Sequence, residues 1–419
     1  MTISSKITDF LYAFFSKAGI TKMLMYNNET PLLFTQLYFW IFFGIVLLMY
    51  SIIYKKNKVR NGFLFLVSLF FYYKTSGFFF LILLFSTVAD YLIGFLIHNG
   101  KSINAKKWWL SLSIFINLFV LFYFKYAYFF ADSFNQLVGS EWHPINHFAS
   151  LSNHFFSTTF RVDQILLPVG ISFFTFQTMS YSIDIYRGAV QPVKSIVDFG
   201  FYVSFFPQLV AGPIVRASNF IPQLYKTYRL TKTQFGIALF WIMNGLLKKV
   251  ILADYIALNL VDRVFENPEL FSGFENLIAL YGYSLQVYAD FSGYTDIAIG
   301  IALLLGFELP KNFDSPYKAD SCGNFWKRWH ISLSSWLKDY LYIPMGGNRG
   351  GSVFTFVSLG FVALFLFFIS GSIAVLIYFL AGLIITVTIG LIFPKLRSWY
   401  ITNINIMITM SKNYFEIIR

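Results

Sequence analysis

The chain has 419 residues, of which 57% are hydrophobic and only 12% charged, about half the roughly 25% charged content of an ordinary soluble domain. Aromatic residues make up 21%, with 53 Phe and 27 Tyr. This excludes a disordered chain, which would be polar and poor in aromatics, and argues against a soluble globular enzyme. The class that remains is an all-α polytopic membrane protein. A spanning helix needs about 20 mostly apolar residues, so the length accommodates on the order of eight to eleven membrane segments. The net charge of +12 reads as sidedness, not as nucleic-acid binding, because Lys and Arg fall in short clusters between apolar runs, as the positive-inside bias predicts. The lone Cys322 excludes an intrachain disulfide or a cysteine metal cage in this sequence.

Residues 1–30 form an N-terminal segment without the compact apolar core and small-residue site of a cleaved signal peptide, so none is expected. The first spanning run is Pro31 to Tyr54, ending at the basic cluster Lys55, Lys56, Lys58 and Arg60. Two apolar runs follow, Gly62 to Tyr73 and Gly77 to Ile97, before a second basic cluster at Lys101, Lys106 and Lys107. With both clusters cytoplasmic, the chain crosses twice between them and the N-terminus lies outside. Trp108 to Phe130 crosses outward, and the loop Ala131 to Thr159, with no Lys or Arg and with His143, His147 and His154, lies outside. Pro144 argues against His143 and His147 sharing a helix and hence a metal. Leu166 to Ile185 returns inward.

Phe199 to Val215 is apolar, broken by Pro207, Gly212 and Pro213, and flanked by basic residues on both sides. A segment with two cytoplasmic ends does not cross once, so it is expected to be re-entrant. Phe235 to Ala257 goes out and Leu277 to Ala289 returns. Ile297 to Phe307 is short and is expected to be buried or re-entrant. Leu309 to Gly351 is polar, basic and Trp-rich, and belongs on the cytoplasmic face. A final hairpin is expected over 353–369 and 372–393.

Charged and polar groups within membrane segments are costly and mark candidate sites. Gln208 offers an amide beside the broken helix. Asp290 and Asp296 lie six residues apart on an apolar run, where pairing with Lys248, Lys249 or Arg328 competes with acid–base work. From Trp326 onward, an advance of about 100° per residue gathers Trp326, Trp329, His330, Leu333, Trp336, Leu337 and Tyr340 on one face of a helix. Lys327, Arg328, Ser335, Lys338 and Asp339 fall on the other. The expectation is an amphipathic helix at the cytoplasmic interface, with His330, the only histidine after position 154, in the middle of its aromatic face.

Two of these stretches carry a resemblance. YADFSGYTDIAIGIALLLGFELPKNFDSPY, followed by FWKRWHISLSSWLKDYLYIPMGG, resembles the membrane-bound O-acyltransferases. The bacterial branch containing alginate and peptidoglycan O-acetylation membrane proteins is the nearest in pattern, with the D-alanyl transfer protein of teichoic acid synthesis more distant. LPVGISFFTFQTMSYSIDIYRG, FYVSFFPQLVAGPIVRASNFIPQL and GLLKKVILADYIA match the same branch, so the resemblance runs over a core at residues 31–351. It implies a ring of tilted and re-entrant helices around a transmembrane tunnel, with no bound cofactor and acetyl-CoA as acyl donor from the cytoplasm. It also implies an extracytoplasmic acetyltransferase partner and polysaccharide acceptor, in the bacterial cytoplasmic (inner) membrane. The first family histidine maps onto His330 as the catalytic residue. Trp326 and Trp329 would pack around it, and Lys327 and Arg328 would attract donor phosphates or act as positive-inside anchors. Asp290 and Gln208 are further tunnel or donor-site candidates.

The sequence departs from the pattern at one point. Family members carry a second histidine downstream, in a Trp-His-Gly motif, whereas residues 352–419 diverge and contain no histidine. Ile369, Ser370 and Gly371 match only the run-up to that motif, and relatives of this branch continue further. The leading expectation is an O-acyltransferase that exports acetyl groups to an extracytoplasmic polysaccharide. The alternative is a truncated or catalytically impaired paralogue acting as membrane scaffold or acyl-CoA binder. A transporter would explain the broken helices but not the Trp-His block.

Overall fold

The computed structural model describes residues 25–26, 31–156, 161–163, 165, 167–210, 212–347, 360, 362 and 364. The chain divides into two compact units, Met1–Asn312 and Phe313–Arg419. Almost all of the N-terminal segment and the expected hairpin over 353–369 and 372–393 lie outside the described residues. Among the described residues the secondary structure is helical throughout, with no strand. The protein is all-α and multi-pass. Four helical stretches are long and apolar enough to cross a membrane: Asn57–Asn99, Ile103–Val138, Lys232–Glu266 and Gly273–Leu304.

The first unit opens with α1 (Leu37–Ile53), α2 (Asn57–Ser76) and α3 (Phe80–Asn99). Gly77, at φ +62°, ends α2 and leads through one 3-10 turn into α3. A side chain is strained at that φ, which is why glycine stands there. The two helices fold back on each other. Phe65 of α2 and Tyr91 of α3 both meet the segment around Lys194–Gly200, whereas Tyr72 and Ser76 both bond Val169 near the turn. Each has 20 residues, about 30 Å of helix, which is long enough to cross a bilayer core.

A buried polar knot ties α3 to α4 (Ile103–Val138) and α6 (Ile171–Tyr186). Asp90 is fully buried. It accepts from Ser113, from Asn117 Nδ2 at 2.6 Å and from Ser182 at 3.0 Å. Thr178 in turn donates to Asn117 Oδ1 at 2.8 Å. Between α4 and α6, α5 (His147–Phe156) begins at His147, so His143 and His147 do not share a helix.

The expected re-entrant segment is built from α7 (Ile196–Ser204), the single turn α8 (Phe206–Leu209), an extended stretch and α9 (Ala217–Leu224). One side chain holds both of its ends: Asn61 Nδ2 donates to Asp198 Oδ1 at 2.9 Å and to the Leu224 carbonyl at 3.2 Å. Its tip reaches Ser68, whose hydroxyl accepts from Phe206 N at 3.2 Å. Ser68 stands seven residues along α2 from Asn61, so the segment enters roughly 10 Å and returns. Arg60 closes the end of α9, donating to the Leu224 carbonyl at 2.6 Å and the Lys226 carbonyl at 3.1 Å. Lys55, Lys56 and Lys58 are exposed, but Arg60 is only 2% exposed. Arg60 is therefore a helix cap rather than one more surface charge of its cluster.

α10 (Lys232–Leu246) runs through π-helical turns at Leu247–Tyr255 and Ala257–Val261 into α11 (Asp262–Glu266). It packs on α12 (Gly273–Leu304), which is one helix of 32 residues. This corrects the expected division into a crossing at Leu277–Ala289 and a separate short piece at Ile297–Phe307. The carboxylates that interrupt the apolar run are paired, so the helix continues through them. Asp296 meets Lys248 Nζ at 2.6 Å and Asn244 at 2.7 Å, and Asp290 meets Lys249 Nζ at 2.6 Å. Close packing depends on glycine. A Cβ added to Gly245 would lie 2.5 Å from the Gly293 carbonyl oxygen, and one on Gly293 2.8 Å from that of Gly245. Small residues of this kind let membrane helices approach backbone to backbone.

Gly293→Ala is expected to lower stability by about 1–3 kcal/mol, because the added methyl meets backbone that cannot move aside. Gly44→Ala on α1, where a Cβ meets nothing within 4 Å, is expected to be neutral or to stabilise by up to about 1 kcal/mol. Thermal unfolding of the detergent-solubilised variants compares the two, and equal melting temperatures would contradict the packing argument.

Candidate functional site

The second unit carries His330. Its first helix, α13 (Cys322–Arg328), is capped by Ser321, whose hydroxyl accepts from Asn324 N at 3.3 Å. Asp320 supports the cap by accepting from Asn324 Nδ2 at 2.8 Å. The helix then stops. Trp329 is extended, His330 takes φ 44° and ψ 54°, and α14 starts at Ile331 and runs to Trp336, followed by a π-helical turn Leu337–Tyr342. The continuous amphipathic helix expected from Trp326 to Tyr340 is therefore corrected to two short helices with His330 at the joint. Trp326 is 60% exposed, so it does not share a buried face with His330.

Among the described residues only Ser315 and His330 are non-glycine residues with positive φ. A side chain held there costs on the order of 1–3 kcal/mol and persists only where its surroundings impose it. The surroundings are identifiable. Asp314 N donates to the Arg328 carbonyl at 2.9 Å, and Arg328 Nη1 donates back to the Asp314 carbonyl at 3.2 Å. Arg328 Nε is held by Asn324 Oδ1 at 3.0 Å. The Trp329 ring stacks on Phe325 at 5.5 Å and meets Phe313 edge-on at 5.1 Å. Phe313 also lies nearly parallel to the His330 imidazole, with centroids 6.4 Å apart and planes at 18°.

This apolar setting acts on the imidazole's charge. Burial pushes His330 down to about 4 from its usual 6.5, because desolvation disfavours the protonated form. His330 is thus a neutral imidazole at physiological pH, with one ring nitrogen free of a proton and able to accept one. Lys327 is exposed on the last turn of α13, while Arg328 is committed to Asn324 and Asp314.

The remaining candidates lie in the first unit. Asp290 is ion-paired to Lys249, which also holds Asp254 Oδ1 at 2.5 Å. Gln208 is 1% exposed, and its Nε2 donates to the Tyr202 carbonyl at 2.7 Å. It satisfies an acceptor freed where α7 ends. Sequence reading did not single out Asp90, Arg60 or Asn61. The signal for Asp90 was present, a lone carboxylate within an apolar run, whereas Arg60 was masked by the lysines beside it.

His330→Gly is expected to raise stability by about 1 kcal/mol, since glycine takes this backbone region freely, while His330→Ala keeps the strain. Thermal unfolding decides, and a glycine variant no more stable than the alanine one would show that the backbone is not strained.

A family model described as membrane-bound O-acyltransferase matches residues 191–418. The probable alginate O-acetylase AlgI of Pseudomonas aeruginosa is 40% identical over 309 residues, covering 72% of this chain and 55% of that protein. The peptidoglycan O-acetyltransferase of Helicobacter pylori is 36% identical over 348 residues, covering 75% of this chain and 62% of that protein. A teichoic acid D-alanyltransferase of Bacillus subtilis is 31% identical over 183 residues, covering 42% of this chain and 45% of that protein. The chain therefore spans little more than half the length of the AlgI relative. With the family model covering more than half of the chain and relatives of this identity, the chain belongs to the membrane-bound O-acyltransferase family.

Proposed function

We propose that this protein is an O-acyltransferase of the bacterial cytoplasmic membrane that moves acetyl groups from cytoplasmic acetyl-CoA across the membrane for O-acetylation of an extracytoplasmic polysaccharide. An extracytoplasmic acetyltransferase partner would receive them. The relatives' names supply the reaction class. The observation in this chain that carries the reading is His330, a neutral imidazole on a strained backbone in an aromatic setting. A neutral imidazole can take the proton of an attacking hydroxyl and return it to the departing thiolate. In that reaction the thioester C–S bond breaks, the ester C–O bond forms, and coenzyme A leaves as the thiol with no net proton released. Lys327 would meet the donor's phosphates as an exposed cation. Arg328, held by the chain around it, would position His330.

One feature favours a second reading, a catalytically impaired membrane scaffold or acyl-CoA binder: no histidine follows His330 in this sequence. Radiolabelled acetyl-CoA separates the two. Hydrolysis, self-labelling or transfer to a polysaccharide or partner is expected from the wild-type protein, falling about 10²- to 10⁴-fold in His330→Ala. Wild-type activity no greater than that of His330→Ala would sink the enzyme reading.

The pH profile follows from the lowered His330 pKa. The neutral form is present above the folded value of about 4 and is lost as pH falls through it. Transfer is expected to be flat between about pH 6 and 8, with no limb at the ordinary histidine value. An acid limb near 6.5 would contradict the buried neutral imidazole. Lys327→Ala is expected to raise the KM for acetyl-CoA severalfold, in a salt-dependent way, with unchanged melting temperature. Arg328→Ala is expected to lower the melting temperature and kcat together. Steady-state kinetics and thermal unfolding of both variants test this division.

A further inference from the structure

Two linkers of the first unit carry exposed cations. Lys55, Lys56 and Lys58 lie where α1 passes into α2, and Lys226 and Arg229 where α9 passes into α10. All five are exposed, and none makes an ion pair or a side-chain hydrogen bond among the described residues. Lys55 Nζ stands 5.9 Å from the centroid of the Tyr54 ring. Lys248, Lys249 and Arg60, in contrast, are engaged by acceptors.

The fold brings the two linkers together. Asn57, Arg60 and Asn61 share one face of the first turns of α2, at i, i+3 and i+4, and all three grip the end of α9. Asn57 Nδ2 donates to the Tyr225 carbonyl at 3.0 Å, Arg60 to the Leu224 and Lys226 carbonyls, and Asn61 to the Leu224 carbonyl. From α1, Tyr50 and Tyr54 meet the Tyr228 ring edge-on at 5.3 and 5.2 Å. The five cations therefore flank one junction. Asp198 at this junction is buried and accepts from Asn61. Glu308, whose backbone bonds Gln223, adds one exposed carboxylate at the edge. Positive charge is thus in clear excess.

The surface beside the cations is apolar. Leu48 and Ile52 are 68% and 77% exposed, and with Lys55 they follow one another at i, i+4 and i+7 along α1 and its end. A stripe of exposed apolar side chains that ends in cations matches an amphiphile with a negative head better than a soluble anion. We propose that the linkers Lys55–Lys58 and Lys226–Arg229 together bind the phosphate head of an anionic phospholipid whose acyl chain lies along Leu48 and Ile52. Basic clusters next to a membrane helix attract such heads. A head that touches both linkers ties the exit of the re-entrant segment to α2.

The test places the full chain in nanodiscs of phosphatidylcholine, alone or with phosphatidylglycerol, and reads the melting temperature. Phosphatidylglycerol is expected to raise it. Lys55→Gln with Lys56→Gln, and separately Lys226→Gln with Arg229→Gln, are expected to melt as wild type does in phosphatidylcholine, because none of the four is paired. For each pair, the phosphatidylglycerol content giving half the rise is expected to increase at least about tenfold. For all four together, the increase is expected to be smaller than the product of the two, since one head bridges both linkers. Lys101→Gln with Lys107→Gln removes as much exposed charge at the linker between α3 and α4 and is expected to leave the rise intact. No rise in wild type, or an equal loss in the Lys101 and Lys107 variant, would overturn the site. Independent, multiplying effects of the two pairs would overturn the bridging head. A rise as large from inorganic pyrophosphate in phosphatidylcholine would assign the cations to a soluble anion and overturn the lipid.

Discussion

The constraint on which the first unit depends is that backbone polar groups at membrane depth must find partners within the protein. A re-entrant segment is the most demanding way to meet it, because each helix end exposes donors or acceptors that lipid cannot satisfy. Here the partners come from side chains at each point of breakage. Asn61 and Arg60 close the outer ends, at Asp198 and Leu224. Ser68 meets the tip at Phe206 N, and Gln208 folds back onto the Tyr202 carbonyl. Tyr202 donates to the Val215 carbonyl at 3.0 Å, joining the two arms of the segment. Loss of any one leaves an unpaired group in a low-dielectric setting, at a cost of about 1–3 kcal/mol.

The same requirement explains how charges within the apolar helices are paired. Asp90, Asp296 and Asp290 each sit within apolar helices, and each is answered by donors on a neighbouring helix. Such groups act as registers between helices that share no hydrophobic driving force within lipid. They fix which turn of α3 meets which turn of α4 and α6, and which turn of α10 meets α12. Ionisable groups of this kind default to functional candidates in a sequence, and here each also has a hydrogen-bond or ion-pair partner on a neighbouring helix.

Much of this was legible in the sequence, and the failures have physical causes. Basic clusters on both sides of Phe199–Val215, with Pro207, Gly212 and Pro213 between them, located the re-entrant segment, because charge placement and helix breaking are local properties. The division of α12 differs from the structure because hydropathy is a property of one segment at a time, whereas the partners of Asp290 and Asp296, Lys249 and Lys248, come from another helix. Arg60 read as a surface charge because its acceptors lie more than 160 residues away. The helix drawn through His330 failed for a similar reason. Nothing at Trp329 or His330 breaks a helix by propensity. The break is imposed by Asp314 pairing with Arg328 and by Phe313 and Phe325 gripping the Trp329 ring.

Among the places where a local rule is violated are His330 and Gln177. His330 holds a left-handed backbone that glycine would adopt at no cost, and Gln177 buries an amide where leucine would pack. Such exceptions tend to concentrate at functional or strained sites. They differ in kind. The strain at His330 sits beside an imidazole that burial keeps neutral at physiological pH. The amide at Gln177 is buried and has no hydrogen-bond partner among the described residues. The two violations are thus distinguishable in kind, backbone strain in the second unit and an unpartnered buried amide in the first.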